Sequence, residues 1–257
     1  MSTLTPSDHG EPDQELNRGS HTERDQEPNL ADRAEPGQEP NLNRHSGPGQ
    51  ELNLGEATPP RQAATVILLR GGGQTLEVLL VKRTPEARFM GGVWVFPGGA
   101  VDTGEGGGDG AHRAAAIREL REEAAIALDT PDALVKFSRW ITPAQVRTRF
   151  DTHFFLAQLP AGQEPRVDGE ECVELGWFTP AAALVAHRDG RILLVFPTIK
   201  HLEQLAAFPS TEELLAYATG REVRPIQPRV IVEGEVARVL LPGEAGYDDP
   251  PQREPAA

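Results

Sequence analysis

Glu119, Glu122 and Glu123 stand close together in the run Ala114-Ala-Ala-Ile-Arg-Glu-Leu-Arg-Glu-Glu-Ala-Ala-Ile126. Ile117, Leu120 and Ala124 recur at +3 and +4, so the run predicts a helix with one apolar stripe, extending from about His112 to Ala125. At about 100° per residue, the three glutamates turn to the side opposite that stripe. Glu119 and Glu123 are one turn apart, and Glu119 and Glu122 are three residues apart, so all three carboxylates can meet in one small volume. Clustered anions raise each other's pKa and destabilise a helix by themselves. A hard divalent cation reverses that sign: Mg²⁺ takes oxygen ligands at about 2.1 Å and keeps water and substrate phosphate in its shell. Arg118 can reach a neighbouring carboxylate and hold its rotamer. Taken alone, an E-x-x-E-E string is more often the solvated Glu/Arg face of a surface helix.

The preceding loop changes that balance. Phe96-Pro-Gly-Gly99 leads into the helix segment, and a glycine backbone can approach phosphate or metal closely because it lacks Cβ. Together the loop and helix resemble the Nudix box, G-x₅-E-x₇-R-E-U-x-E-E-x-G-U, where U is a bulky aliphatic. Gly99 and Glu105 match its first half; Arg118-Glu119-Leu120-Arg121-Glu122-Glu123 and Ile126 match its second. There are two departures. Twelve residues rather than seven separate Glu105 from Arg118, read as a loop, Gly106-Gly-Gly-Asp-Gly110, inserted before the helix; and Ala125 stands where the box has glycine.

The resemblance implies an α+β fold, an α/β/α sandwich around a mixed sheet, and hydrolysis of a nucleoside diphosphate derivative with Mg²⁺ or Mn²⁺. It implies Glu119, Glu122, Glu123 and the Gly99 carbonyl as metal ligands, Glu122 or Glu123 as base, and Arg118 as the residue orienting the cluster. A further glutamate before a late tryptophan strand joins the site in several such enzymes; Glu171 is the first candidate here and Glu174 the second, while the insertion leaves Glu105's part open. The flanks Val78-Leu-Leu-Val-Lys-Arg83, Gly91-Gly-Val-Trp-Val-Phe-Pro-Gly-Gly99, Trp140-Ile-Thr-Pro143, Arg149-Phe-Asp-Thr-His-Phe-Phe155 and Phe196-Pro-Thr198 are similar to coenzyme A diphosphatases of the peroxisomal type and their bacterial relatives. Coenzyme A or acyl-CoA is therefore the expected substrate. The alternatives are ADP-ribose, a dinucleotide or a nucleoside triphosphate, and, in another class, a non-catalytic ligand sensor or interaction module. Many relatives dimerise, so a homodimer is a candidate state.

Other residues are weighed against ordinary roles. Arg83, Arg147 and Arg149 are candidate phosphate contacts, with Arg83 first because it precedes the loop into the box; the competing reading for each is a surface arginine. His153 reads as a packed or edge residue in a strand and His112 as a solvated residue at the helix start, while Trp94, Phe96, Trp140 and Trp177 read as core. Cys172, the only cysteine, lies beside Glu170 and Glu171, which disfavours a thiolate, and reads as a semi-buried strand residue. No Walker loop, paired CxxC or G-x-S-x-G elbow is present.

The elements that must position the glutamates follow from the apolar pattern. Strands are expected at 64–70, 76–82, 93–96, 135–141, 150–159 and 172–178, helices at 180–187 and 199–208, and a third helix with Ser210 as N-cap and Gly220 as its stop. Residues 229–232 and 236–241 suggest a terminal hairpin. Residues 1–60 have no aromatic, valine or isoleucine, and repeat Asp13-Gln-Glu-Leu-Asn every twelve residues as Asp25-Gln-Glu-Pro-Asn, Gly37-Gln-Glu-Pro-Asn and Gly49-Gln-Glu-Leu-Asn. Such a stretch buries too little to offset its ordering entropy, so it is expected to be a disordered tail with an unknown partner; 61–247 is expected to be the catalytic domain and 248–257 a flexible end. Residues 1–60 hold twelve acids and four arginines, a net of −8, which leaves −6 of the chain's −14 for the remainder. No Lys/Arg-rich block suggests a nucleic-acid groove, no apolar run suits a bilayer, and the N-terminus lacks a secretory signal pattern. The cytoplasm is the expected location.

Overall fold

The computed structural model describes residues 58–72, 75–233 and 236–249, without the side chains of 232–237. The repeats and almost all of the expected tail lie outside the described residues, as do Gly73 and Gln74 of the first turn and positions 250–257. The sheet is built on β1 (Arg61–Arg70) and β6 (Phe150–Gln158), which run parallel from Arg61↔Phe150 to Leu69↔Gln158. Both strands are near-continuous apolar runs because both of their faces are covered. Ala64, Val66 and Leu68 enter one core cluster, and Ile67 and Leu69 enter the other.

β5 (Val135–Ile141) adds antiparallel to β6, and β8 (Pro225–Ile226) parallel to β5. The opposite edge of β1 is shared. Its last residues pair antiparallel with β2 (Glu77–Arg83), and Ala63–Thr65 pair with β4 (Gly98–Ala100). β2 also carries β3 (Trp94–Val95) and β7 (Cys172–Phe178). Helix α1 (Gly108–Ala124) covers one face of this mixed sheet, with Leu120 and Ala124 in the Val66–Leu68 cluster. Helices α2 (Pro180–Arg188), α3 (Phe196–Leu205) and α4 (Thr211–Ala218) send Ala183, Leu202 and Leu214 into the cluster on the other face. The result is the expected α/β/α sandwich, with β9 (Arg229–Glu233) and β10 (Val236–Leu240) forming the expected hairpin. No helix among the described residues is long and apolar enough to cross a membrane.

Four local expectations change. Pro97-Gly98-Gly99 is not merely a turn, because Gly98–Ala100 is hydrogen-bonded to β1 as a strand. The glycine insertion is not wholly a loop: α1 begins at Gly108, and Asp109 in its first turn is held by Arg113 at 3.0 Å and Lys136 at 2.7 Å. Ala125 is not helical but left-handed, at φ 55° and ψ 27°, which explains the glycine preferred there, since an L side chain crowds its own backbone in that region. His112 is not solvated but buried, stacked on His153 at 3.8 Å, with its ring nitrogens against the Gly108 carbonyl and the Gln62 amide. The expected core aromatics Trp94, Phe96 and Trp140 are buried, and Trp177 is half-buried beneath the Arg70 guanidinium.

Candidate active site

Small residues bring α1 close to the sheet. Ala115 and Ala116 are fully buried beside Leu120, so the helix backbone lies near β1 and β4. This approach carries Glu119 and Glu123 past β4 into a cavity of about 430 Å³ on the far side. The glycines of β4 make the opening. A Cβ on Gly98 would stand 2.7 Å from Thr65 Cα, and one on Gly99 would fall inside the Glu119 carboxylate. The glutamates are therefore not opposite the apolar stripe. Glu119 and Glu123 lie buried on its flank, and only Glu122 faces solvent.

Glu123 is the most enclosed of the three, with a side chain 2% exposed. Its Oε2 accepts the Gly98 N–H at 2.8 Å, while Oε1 has no hydrogen-bond partner. Arg83 Nη1 stands 3.7 Å from that oxygen, too far for a hydrogen bond, and Arg83 Nε is itself buried and unpartnered. Burial pushes the Glu123 carboxyl up to about 7; the Gly98 N–H and Arg83 oppose the rise, and the charges of Glu119 and Glu171 add to it. Burial likewise raises Glu119, against the hydrogen bond and charge of Arg118. The same loss of water, with Glu123 alongside, raises the buried Cys172 thiol, so the cysteine is inert as a nucleophile.

Arg118 joins the cluster together. Its Nε donates to Glu105 at 2.9 Å, Nη1 to Glu119 at 2.8 Å and to Glu122 at 3.0 Å, and Nη2 to the Ala100 carbonyl at 2.9 Å. Glu105 uses its other oxygen to accept the Asp102 N–H at 2.7 Å. Burial would raise Glu105, but these bonds outweigh it and hold the carboxyl below its ordinary value. The lengthened spacing between Glu105 and Arg118 thus still delivers their contact.

Strand alternation decides which carbonyls face the carboxylates. Val66 N–H donates to Pro97 and Val101 N–H donates to Gln62, so residues 97, 99 and 101 turn their backbone groups to β1. Gly98 and Ala100 turn theirs to α1, as their bonds with Glu123 and Arg118 require. The Gly99 carbonyl is therefore directed at β1, and the carbonyl presented to the glutamates is that of Gly98.

Glu171 also lines the cavity, on the loop before β7. Asp168 shapes that loop by accepting the N–H groups of Glu171 and Cys172 at 2.8 and 2.9 Å, and the Glu171 carbonyl accepts Thr84 N–H at 2.8 Å. Glu174 lies outside the cavity and pairs with Lys82 at 3.2 Å. Of the candidate arginines, Arg83 lines the cavity and the other two do not. Arg149 is buried and donates to the carbonyls of Thr142 and Thr58, and the Arg147 carbonyl accepts from Thr58. Both belong to the fastening of the strand ends. Sequence reasoning passed over Arg61, Phe89, Met90 and Phe150, which line the same cavity; the only available signal was the alternation of Arg61, Ala63 and Thr65 along one strand face.

A model of the NUDIX domain matches residues 59–196, more than half of the 257. A Caenorhabditis elegans protein named for the same family is 27% identical over 227 residues, covering 74% of this chain and 75% of that one. Human acyl-coenzyme A diphosphatase NUDT19 is 32% identical over 125 residues; the match takes in 46% of this chain and 33% of that protein, so the chain spans about a third of its length. Among solved structures, a NUDIX hydrolase from Alicyclobacillus acidocaldarius superposes with a TM-score of 0.55 at 28% identity, covering 62% of this chain and 96% of that one. The glutamate helix and the glycine strand beneath it lie inside the matched region, and the chain belongs to the NUDIX family of hydrolases.

Proposed function

We propose that the chain cleaves the diphosphate linkage of coenzyme A or acyl-CoA with the help of Mg²⁺ or Mn²⁺. The observation behind the metal is Glu123: a buried carboxylate whose Oε1 has no hydrogen-bond partner is costly while ionised, and a cation would offset that cost. No group of three acidic, histidine or cysteine side chains among the described residues is already arranged as a ligand set. The reason is visible in Arg118, which draws Glu119 and Glu122 onto itself. The donors nevertheless fit a hard cation, since all are oxygens. Glu119 and Glu123 would hold it, with Glu122 at the outer edge, Glu171 across the cavity and the Gly98 carbonyl between them. When bound, the ion neutralises charge on the diphosphate oxygens and makes a bound water easier to deprotonate.

The chain's own residues do the rest. Arg118 fixes the rotamers of Glu119 and Glu122 through paired bonds, and Glu105 fixes Arg118. Glu122 or Glu123 takes the proton from the attacking water. Arg83, beside Glu123 in the cavity wall, would meet a substrate phosphate oxygen. The coenzyme A assignment draws support from the flanking strings around β2, β3 and α3, and from the likeness to a protein named as an acyl-coenzyme A diphosphatase.

The test is product analysis by mass spectrometry, with Mg²⁺ or Mn²⁺, on coenzyme A, acetyl-CoA, NADH, ADP-ribose and nucleoside triphosphates. Release of adenosine 3′,5′-bisphosphate from coenzyme A and its ester is expected, and none in chelator. Cleavage of another substrate with coenzyme A untouched would remove the substrate assignment, and turnover persisting in chelator would remove the metal.

A further inference from the structure

The cavity floor is ordered along its length. β1 and β6 run parallel, and every second residue of each faces the cavity: Arg61 beside Phe150, Ala63 beside Thr152, Thr65 beside Phe154. These rungs span about 13 Å. β4 fixes where the chemistry sits along them, since Gly98 pairs with Thr65, Gly99 with Ala64, and Glu123 is bonded to Gly98. The carboxylates therefore stand at the Thr65 end, and Arg61 begins the strand about 10–13 Å away.

Arg61 is exposed, and its guanidinium has no ion pair or hydrogen bond among the described residues. Beside it the rings of Phe150 and Phe89 lie 5.9 Å apart. The loop that brings Phe89 there also turns Met90 into the cavity wall with a left-handed backbone, φ 55°, a conformation uncommon for a residue with a side chain.

We propose that Arg61 and the Phe89–Phe150 pair form the subsite for the nucleotide end of the substrate, with the rings taking the base and Arg61 a phosphate carried on the ribose. This rests on the coenzyme A reading. Outside its diphosphate, coenzyme A has one anionic group, the ribose 3′-phosphate; the pantetheine arm is uncharged and offers a guanidinium only amide and hydroxyl oxygens, no charge-assisted pair. An arginine and an aromatic pair at one end, with the scissile diphosphate at the other, match a phosphorylated nucleoside lying along the floor. The uncharged lining of Phe154, Val195 and Pro197 suits the arm.

The experiment compares wild type with Arg61→Gln in the full chain. Two quantities are read: kcat/KM for coenzyme A and for 3′-dephospho-coenzyme A, and calorimetric affinity for adenosine 3′,5′-bisphosphate and for AMP. The wild type should prefer the 3′-phosphorylated member of each pair. In Arg61→Gln that preference should fall about tenfold, through KM in the kinetics, the size of one charge-assisted contact open to water. Equal losses on both members of a pair, no change, or a wild type without preference would overturn the subsite. If the wild type cleaves neither coenzyme, the substrate reading fails separately, and the titration alone decides: a bisphosphate preference lost in the variant upholds the subsite, and anything else sinks it.

Discussion

Glu123→Gln separates what the fold tolerates from what the site requires. Glu123 titrates at about 7 in the folded chain against an ordinary 4.5, because burial disfavours its charge. Below 4.5 the group is protonated in both folded and unfolded states and has no effect on stability. Between 4.5 and 7 the unfolded chain releases the proton while the native state keeps it, so stability falls as pH rises; above 7 the loss is complete. The full span corresponds to about 3 kcal/mol. With only 2% of the side chain exposed, solvent screens little of it. Glutamine keeps the shape and an oxygen for the Gly98 N–H while removing the charge. In chelator at about pH 8, Glu123→Gln should therefore melt above wild type, by about 5–10 °C for a domain of this size. The two melting curves should converge as the pH is lowered to about 4.5. Adding Mn²⁺ at pH 8 should raise the wild-type midpoint but not that of the variant, and turnover of the variant should collapse. Scanning calorimetry across pH reads all of this. A variant less stable than wild type at pH 8 in chelator would refute the reasoning: the Arg83 attraction at 3.7 Å would then outweigh the burial, making Glu123 a structural ion-pair partner.

Two backbone positions give sharper contrasts. Gly99→Ala places a methyl inside the Glu119 carboxylate, which must swing away; turnover should drop about a hundredfold or more with the melting point little changed, since the displaced group is a side-chain end. Ala125→Gly relieves a left-handed alanine and should stabilise the chain by about 1 kcal/mol in denaturant titration without altering kcat.

The periodic parts of the fold were legible in the sequence. β5 and β7 have the expected ends, because each is bounded on both sides by turn residues that announce its limits. The apolar pattern starts α1 late, since Gly108 and Gly110 hide a first turn that is fixed by the contacts of Asp109 with Arg113 and Lys136 rather than by propensity. β4 is not legible as a strand for a related reason: Gly98 and Gly99 have no strand preference of their own and are paired because β1 offers an edge. For the site, helical spacing placed Glu119 and Glu123 one turn apart but could not say that the helix rolls them inward, which depends on Ala115 and Ala116 allowing close approach. Arg61 and Arg149 are alike in a sequence reading, each an arginine at a strand end. Only the packing tells that one is fastened to two carbonyls and the other faces the cavity.

The charge balance around α1 carries the case for a cation beyond any single ligand. Glu105, Glu119, Glu122, Glu123 and Glu171 surround two arginines, Arg118 and Arg83, and Arg118 already serves three of those carboxylates. With all five ionised, the group is left at about −3 before any substrate arrives, and a diphosphate adds to the repulsion at separations where water screens poorly. The rise in the Glu119 and Glu123 titrations is the fold's partial answer, since protonation removes charge that burial and neighbours oppose. Protonation alone, however, would empty the cluster of the basicity that water activation needs. A divalent ion would meet both demands together: it would offset the excess charge and let the carboxylates stay ionised. Arg61, at the far end of the floor, is placed to hold a remote phosphate and not to neutralise this centre.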